Sequence, residues 1–158
     1  MTWFDALRDQ TLKTREMMVK LLKGIGAERA DTMPPTWRNN ARWHAGHLVI
    51  TPRLLTFELT KEPLGVSENY RKWFAKGSSP KDWELDTIPS YAELVESIVP
   101  TSETLFEAFR ERFDSAFPQS YTTSVGVVLK TPCEALNFIL AHDGIHLGLL
   151  LALRRGLE

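Results

Sequence analysis

The sequence predicts an all-α protein, a four-helix bundle with long connections between its helices. Apolar residues recur with a period near 3.6 in four long segments, and residues that favour helix N-termini begin three of these segments. Only one short segment has the composition of a β-strand. A chain of 158 residues is long enough for one domain with a complete hydrophobic core, and no internal repeat divides it. We therefore expect a single domain that spans residues 1–158.

The first predicted helix extends from about residue 2 to residue 24. Thr2 followed three residues later by Asp5 resembles a capping box, in which each side chain accepts a hydrogen bond from the backbone of the other residue. Gly24 and Gly26 provide the stop. The face that we expect to be buried consists of residues at helical spacing: Trp3, Leu7, Thr11, Met18, Leu21 and Ile25.

The second predicted helix follows Asn39 and Asn40, which are both good N-caps, and continues to about Lys61. Pro52 lies within it and has no N–H group to donate to the carbonyl of Leu48. The apolar pattern nevertheless keeps its phase across this proline, so we expect a kink at Pro52 and not the end of the helix. The predicted face contains Trp43, His47, Leu48, Thr51, Leu54, Leu55 and Glu58.

Residues 62–89 form a long connection that we expect to be ordered. Glycine, serine and proline interrupt the helical pattern, but the segment carries too many aromatic residues for a disordered linker. Ser67 and Gly77 delimit one short predicted helix within it. Two roles remain open: the aromatic rings only close the end of the core, or the segment covers a pocket with Trp73 or Trp83 in its wall.

The third predicted helix covers residues 90–113, with a kink at Pro100. An irregular stretch follows, in which residues 125–129 have the composition of a short strand. The fourth helix begins at Thr131-Pro132-Cys133-Glu134, which combines an N-cap, a proline at the first helical position and a glutamate at the third. It continues to about Arg155 and Gly156, and because it is apolar nearly all round, we expect it to be the buried helix.

The composition excludes several classes of protein. Nineteen basic and twenty acidic residues give a formal net charge of −1, and the basic residues are scattered, so a nucleic-acid partner is not expected. The N-terminus has no signal-peptide pattern and no apolar run is long enough to span a membrane, so we expect a cytoplasmic protein without a membrane partner. The single cysteine cannot form an internal disulfide.

All four histidines fall in two clusters, and both clusters lie in predicted helices. His142 and His146 are four residues apart, so their side chains diverge by only about 40° and leave one face of the fourth helix. Two imidazoles one turn apart can bind the same divalent ion. In the most apolar helix a neutral imidazole without a partner is unfavourable, which also favours a metal site.

The second helix offers the third expected ligand, His47. It lies on the face that includes Leu48 and stands beside Gly46, where a neighbouring backbone can come close. We expect His44 to be a partly exposed residue of the first turn, outside the coordination sphere. Glu58 shares the face of His47 but lies about 16 Å further along the helix, so it is not a ligand.

Three histidines suit Zn, Ni or Fe and leave positions open for another molecule, which is the form of a reactive metal site. Asp143 occupies the position of the glutamate in the His-Glu-x-x-His motif, although its side chain is one methylene shorter. It is therefore either a general base or a carboxylate that supports the ligands or faces solvent. No histidine follows a glutamate by three residues, so a carboxylate-bridged di-iron site is not expected.

Two motifs carry a resemblance to a known family. Trp43-His44-Ala45-Gly46-His47 is similar to the Trp-His-x-Gly-His pattern of the DinB-like (DNA-damage-inducible) superfamily, and residues 142–148 are similar to its His-x-x-x-His-x-Gly pattern. The resemblance covers nearly the whole chain. It implies the DinB-like type of four-helix bundle, a divalent metal on His47, His142 and His146, and a homodimer.

The resemblance also implies a class of activity. The superfamily includes bacterial thiol S-transferases, which use the metal with a low-molecular-weight thiol such as bacillithiol or mycothiol, and its name does not imply DNA binding. The expected function is a metal-dependent hydrolase or thiol S-transferase that acts on a small molecule. The alternative is a non-catalytic metal-binding stress-response protein. Asp143 stands where a glutamate is more usual, which weakens the case for a general base.

Overall fold

Four helical units pack side by side in the protein, whose structure is a computed structural model that describes residues 2–157. Helix α1 packs against α5 and α6, and α2 packs against α4, α5 and α6. The predicted all-α fold is therefore confirmed. The α-helices and β-strands of the described residues are α1 (Trp3–Ile25), α2 (Ala41–Leu54), α3 (Asn69–Phe74), α4 (Tyr91–Glu96), α5 (Ile98–Phe109), β1 (Tyr121–Thr122), β2 (Val128–Leu129) and α6 (Pro132–Gly156).

Helix α1 begins and ends as its sequence predicts. The Thr2 side chain accepts a hydrogen bond from the Asp5 N–H group at 3.1 Å, and the Asp5 carboxylate accepts one from the Thr2 N–H group. The helix ends at Gly26, whose φ of +83° is unfavourable for other residue types. Trp3 is 59% exposed, contrary to the prediction, and the neighbouring Phe4 is buried in its place.

Helix α2 ends at Leu54, so the prediction that it continues to Lys61 was wrong. Pro52 lies two residues before this end and has no N–H group for the Leu48 carbonyl. Beyond Leu54 the chain makes wider turns, in which the Glu58 N–H group donates to the Arg53 carbonyl five residues earlier at 3.2 Å. The proline therefore marks the last turn of the helix.

The connection from residue 62 to residue 89 is ordered and contains α3 between Ser67 and Gly77, as predicted. Two 3₁₀ turns follow, at Pro80–Asp82 and Leu85–Thr87. The Phe74 side chain is fully buried against the bundle. This contact holds the connection on α2.

The third helical unit consists of α4 and α5, which meet at Ser97. This break lies close to Pro100 and corresponds to the predicted kink. The irregular stretch that follows forms an antiparallel hairpin in which Tyr121 pairs with Leu129. The predicted strand 125–129 is shorter than expected, because the Thr123 N–H group donates to the Val127 carbonyl at 2.8 Å and closes a turn there.

Helix α6 begins at Pro132, where the Thr131 side chain caps it, and ends at Gly156. The expectation that it is buried all round was wrong, since Ile145, Leu149 and Leu151 are 62%, 39% and 41% exposed. Its length and apolar composition would allow it to cross a membrane, but core helices of soluble bundles share these properties. One face packs on α1 and α2, and the other face has no partner within the described chain.

Candidate metal centre

The bundle brings together the three histidines that the sequence predicts as ligands. His47 extends from α2, and His142 and His146 extend from α6. The His142 Nε2 atom lies 3.1 Å from the Nε2 atom of His47 and 3.1 Å from that of His146. One nitrogen from each ring lies within 4.8 Å of the other two, so this group is compatible with a metal site.

The orientation of His47 is set by its contact with the connection that holds α3. The Nδ1 atom of His47 lies 2.7 Å from the Phe74 carbonyl, which can only accept a hydrogen bond. The proton is therefore on Nδ1, and the Nε2 lone pair is directed at the other two rings. The Phe74 ring comes this close because α2 has a glycine, Gly46, where a Cβ atom would lie 2.4 Å from it. The Trp43 ring stacks on His47 from the other side, with centroids 4.4 Å apart.

His44 is not the partly exposed residue that we expected. It is only 3% exposed, and its Nδ1 atom lies 2.9 Å from the Nδ1 atom of His146. One of these nitrogens donates and the other accepts. When His146 donates, its Nε2 atom carries a lone pair toward the cluster, so His44 can fix the tautomer that metal binding requires. The prediction of an exposed His44 was wrong because this residue packs against His146 of α6 and is shielded from solvent.

Burial in the cluster favours the neutral form of His44, His47 and His146. Burial and the nearby His142 lower the pKa of His44 to about 4, and the same two causes lower the pKa of His47 to about 3. Burial, followed by the neighbouring histidines, also lowers the pKa of His146. A neutral imidazole has a free lone pair, so near neutral pH these rings are in the state that binds metals.

Asp143 does not line the cavity but is fully buried against Arg15 of α1. The Arg15 Nε and Nη2 groups donate to its two oxygens at 2.7 and 3.1 Å. Burial alone would raise the pKa of Asp143, but Arg15 and the adjacent His142 together outweigh it, so the pKa lies below its usual value. Because both oxygens are occupied and Asp143 does not line the cavity, the geometry favours the supporting role over that of a general base.

Arg15 was missed in the sequence, although a signal exists. It lies four residues after Thr11 and three before Met18, which are both on the predicted apolar face of the first helix. A charged residue in the middle of a buried stripe requires a buried partner of opposite charge. The partner could have been sought among the carboxylates of the most apolar helix, where Asp143 stands.

A cavity of about 770 Å³ lies beside the three histidines, which form part of its wall. Neither Trp73 nor Trp83 lines it, so the suggestion that one of them forms the wall was wrong. Both rings pack within their own segment, where the Trp83 Nε1 group donates to the Trp73 carbonyl at 3.1 Å. The apolar part of the wall consists of Trp43, Leu54, Leu55, Leu59, Phe138 and Leu149.

The donor set fits a divalent cation. A tetrahedral site with Zn–N bonds of roughly 2.05 Å separates its nitrogens by about 3.3 Å, close to the 3.1 Å measured between His142 and each of its two neighbours. Lone pairs at this distance repel each other unless a proton or a cation lies between them. Within residues 2–157, the buried His142 Nδ1 atom has no hydrogen-bond partner, and the Asp143 carboxylate is 3.8 Å from it.

Comparison with known proteins identifies the family. A family model described as the DinB superfamily matches residues 10–150, a range that includes all four histidines and part of every helix of the bundle. A search of curated proteins gave no significant match. The resemblance of the two histidine motifs and the observed helical fold agree with the family match. Since the match covers most of the chain, this protein belongs to the DinB superfamily.

Proposed function

We propose that the protein is a metal-dependent enzyme that binds Zn, Ni or Fe through His47, His142 and His146 and acts on a small organic molecule. The observation that carries the proposal is the convergence of three imidazole nitrogens at the wall of a cavity of about 770 Å³. Pockets of this volume accept organic ligands. The reaction class that we propose is hydrolysis or transfer of a low-molecular-weight thiol.

When bound, a divalent ion would supply Lewis-acid activation of a small molecule that occupies the cavity. The chain itself contributes orientation and shielding from water. The Phe74 carbonyl fixes the His47 ring, and His44 fixes the His146 ring. The indole of Trp43 covers His47 and forms part of the apolar wall that excludes solvent.

The charged residues of the cavity favour an anionic ligand. Of the described residues that line the cavity, Glu58 is the only carboxylate, and it is paired with Arg71 at 2.7 Å. Arg38 and Lys76 also line the cavity and have no ion-pair partner in residues 2–157. Unpaired cations at the rim of an apolar pocket attract acidic groups. We therefore propose that the substrate or the thiol carries a carboxylate or a similar acid.

The second candidate is a metal-binding stress-response protein without catalytic activity. Such a protein needs the three histidines but does not need a pocket large enough for an organic ligand. The cavity therefore favours the enzyme over the non-catalytic protein. We further propose a cytoplasmic homodimer with no nucleic-acid or membrane partner. Support for the dimer comes from the exposed apolar face of α6, which includes Ile145 and Leu149.

The first experiment measures metal content and turnover in the same samples. Protein purified without a histidine tag would be analysed for bound metal, then assayed with thiols plus small electrophiles and with ester and amide substrates, before and after chelation. We expect turnover that requires the metal and that disappears in His142→Ala. Stoichiometric metal binding without turnover across a broad panel would favour the second candidate.

Single alanine variants test the ligand assignment. Substitution of His47, His142 or His146 should abolish metal retention and remove the stabilisation that the metal provides. His44→Ala should keep the site but weaken its affinity by about tenfold or more, because His146 loses the group that fixes its tautomer. Full metal occupancy in His47→Ala together with complete loss in His44→Ala would overturn the assignment.

A further inference from the structure

Arg15 of α1 connects all the helical units that surround the metal centre. Its side chain is fully buried and donates at 2.7 and 3.1 Å to the Asp143 carboxylate on α6. Its Nη1 group donates to the Leu48 carbonyl on α2 at 3.0 Å and to the Ile98 carbonyl on α5 at 3.2 Å. A single guanidinium therefore contacts three other helices.

Two of these contacts lie next to the proposed ligands. Leu48 follows His47 in α2, and Asp143 follows His142 in α6. The guanidinium therefore holds the two ligand-bearing helices at the residue beside a ligand in each.

The Leu48 carbonyl is available because of Pro52. In a regular helix this oxygen accepts from the N–H group four residues later, but a proline has none to donate. The Arg15 Nη1 group donates to the Leu48 carbonyl in place of the missing N–H group. Pro52 leaves the Leu48 carbonyl without its helical donor, and Arg15 donates a hydrogen bond to that carbonyl instead.

We propose that Arg15 is a positioning residue that sets the distance between α2 and α6, and with it the distance between His47 and the two histidines of α6. The inference rests on the proposed metal site. A planar guanidinium suits this role because its five N–H groups point in fixed directions and can reach the carboxylate and the two carbonyls together. A lysine ammonium is a flexible point charge and cannot hold all three with the same geometry.

The test must separate positioning from a general loss of stability. Arg15→Met removes the clamp and leaves Asp143 buried without a partner, so it also destabilises the protein. Leu105→Ala in α5 is the matched control, because Leu105 is buried in the core but carries no ligand and does not line the cavity. Both variants should unfold at a lower urea concentration than the wild type, but only Arg15→Met alters the contacts beside the proposed ligands.

The readout is Co²⁺ bound to the chelator-treated full chain, since its visible absorption depends on the number and arrangement of its ligands. We expect Arg15→Met to lower the Co²⁺ affinity by about tenfold or more and to change the spectrum, as loss of groups that orient metal ligands does. Leu105→Ala should keep the wild-type affinity and spectrum. Arg15→Lys should lie between the wild type and Arg15→Met. Wild-type affinity and spectrum in a folded Arg15→Met variant would overturn the proposal.

A double variant covers the case in which Arg15→Met does not fold. Arg15→Met with Asp143→Leu removes both charges, so that no unpaired charge stays buried and the fold is retained. It should bind Co²⁺ more weakly than the wild type, and unchanged binding would overturn the proposal. Failure of the proposed metal site gives a different result: the wild type would bind no Co²⁺, or His142→Ala would bind it equally well. Either result would refute both the metal site and the positioning role of Arg15.

Discussion

Gly46 allows a direct test of how the connection around α3 supports the candidate metal centre. A Cβ atom at this position would lie 2.4 Å from the Phe74 ring, whereas carbon atoms in contact are about 3.5 Å apart. The ring would have to move by about 1 Å, and because Phe74 is fully buried it has no free space to enter. The Phe74 carbonyl accepts the hydrogen bond of His47, so Gly46→Ala should disturb the orientation of that imidazole as well.

The expected magnitude follows from two opposing effects. Alanine is favoured over glycine within a helix by about 1 kcal/mol. Overpacking a core costs about 1–3 kcal/mol, and the closely confined Phe74 ring places Gly46→Ala in the upper half of that range. The net loss should be about 1–2 kcal/mol, or a fall in Tm of roughly 2–8 °C for a chain of this length. Clash therefore outweighs helix propensity at this position.

Gly144→Ala is the matched control, because it lies within α6 and a Cβ atom there meets nothing within 4 Å. This variant should gain about 0.5–1 kcal/mol. Urea denaturation of both variants with a chelator measures the stabilities, and a metal titration measures the effect on His47. Gly46→Ala with Phe74→Leu should be less destabilised than the sum of the single variants, since the smaller side chain relieves the clash. A Gly46→Ala protein as stable as Gly144→Ala would refute the reasoning.

Three other predictions concern stability. The pKa values of His44 and His47 are lowered on folding, so the unfolded chain binds protons first and stability is lost as the pH falls from about 6.5 toward about 4 for His44 and about 3 for His47. For the chelated protein we expect a loss on the order of 2 kcal/mol per histidine near pH 5, measured by urea denaturation; a midpoint independent of pH would contradict it. Tyr91→Phe removes a buried hydrogen bond of 2.8 Å to the Leu22 carbonyl and should lower the unfolding free energy by about 1–2 kcal/mol in the same assay. Arg112→Met breaks a partly exposed ion pair of 2.6 Å with a glutamate and should cost less than about 1 kcal/mol, an effect that added salt should reduce further.

The sequence was sufficient for most helix starts and for the three clustered histidines. Both depend on local rules: Thr131 caps α6 through its own backbone, and the spacing of His142 and His146 places them on one face wherever the helix packs. The sequence predicts His47 as the third ligand because it shares a helix face with apolar neighbours, and α2 does pack against α6.

The errors concern contacts between elements, which no local rule determines. The position of His44 in a first turn predicts exposure, but the residue is buried against His146 of α6. Arg15 is recognisable as important only once Asp143, 128 residues later, is placed beside it. The end of α2 was misplaced for a similar reason: the pattern of apolar residues continues after Pro52, but it belongs to turns that pack on the same core.

The proposed ligands His47 and His142 are separated by 95 residues, so the site closes a loop that includes more than half of the chain. Bringing such distant residues together costs chain entropy that local helices do not pay, and the contact forms only when the last helix docks. An ion held there would contribute little to the folding transition state. Binding of the ion would therefore slow unfolding more than it speeds folding. The supply of metal would then affect the lifetime of the folded protein more than the rate at which the chain folds.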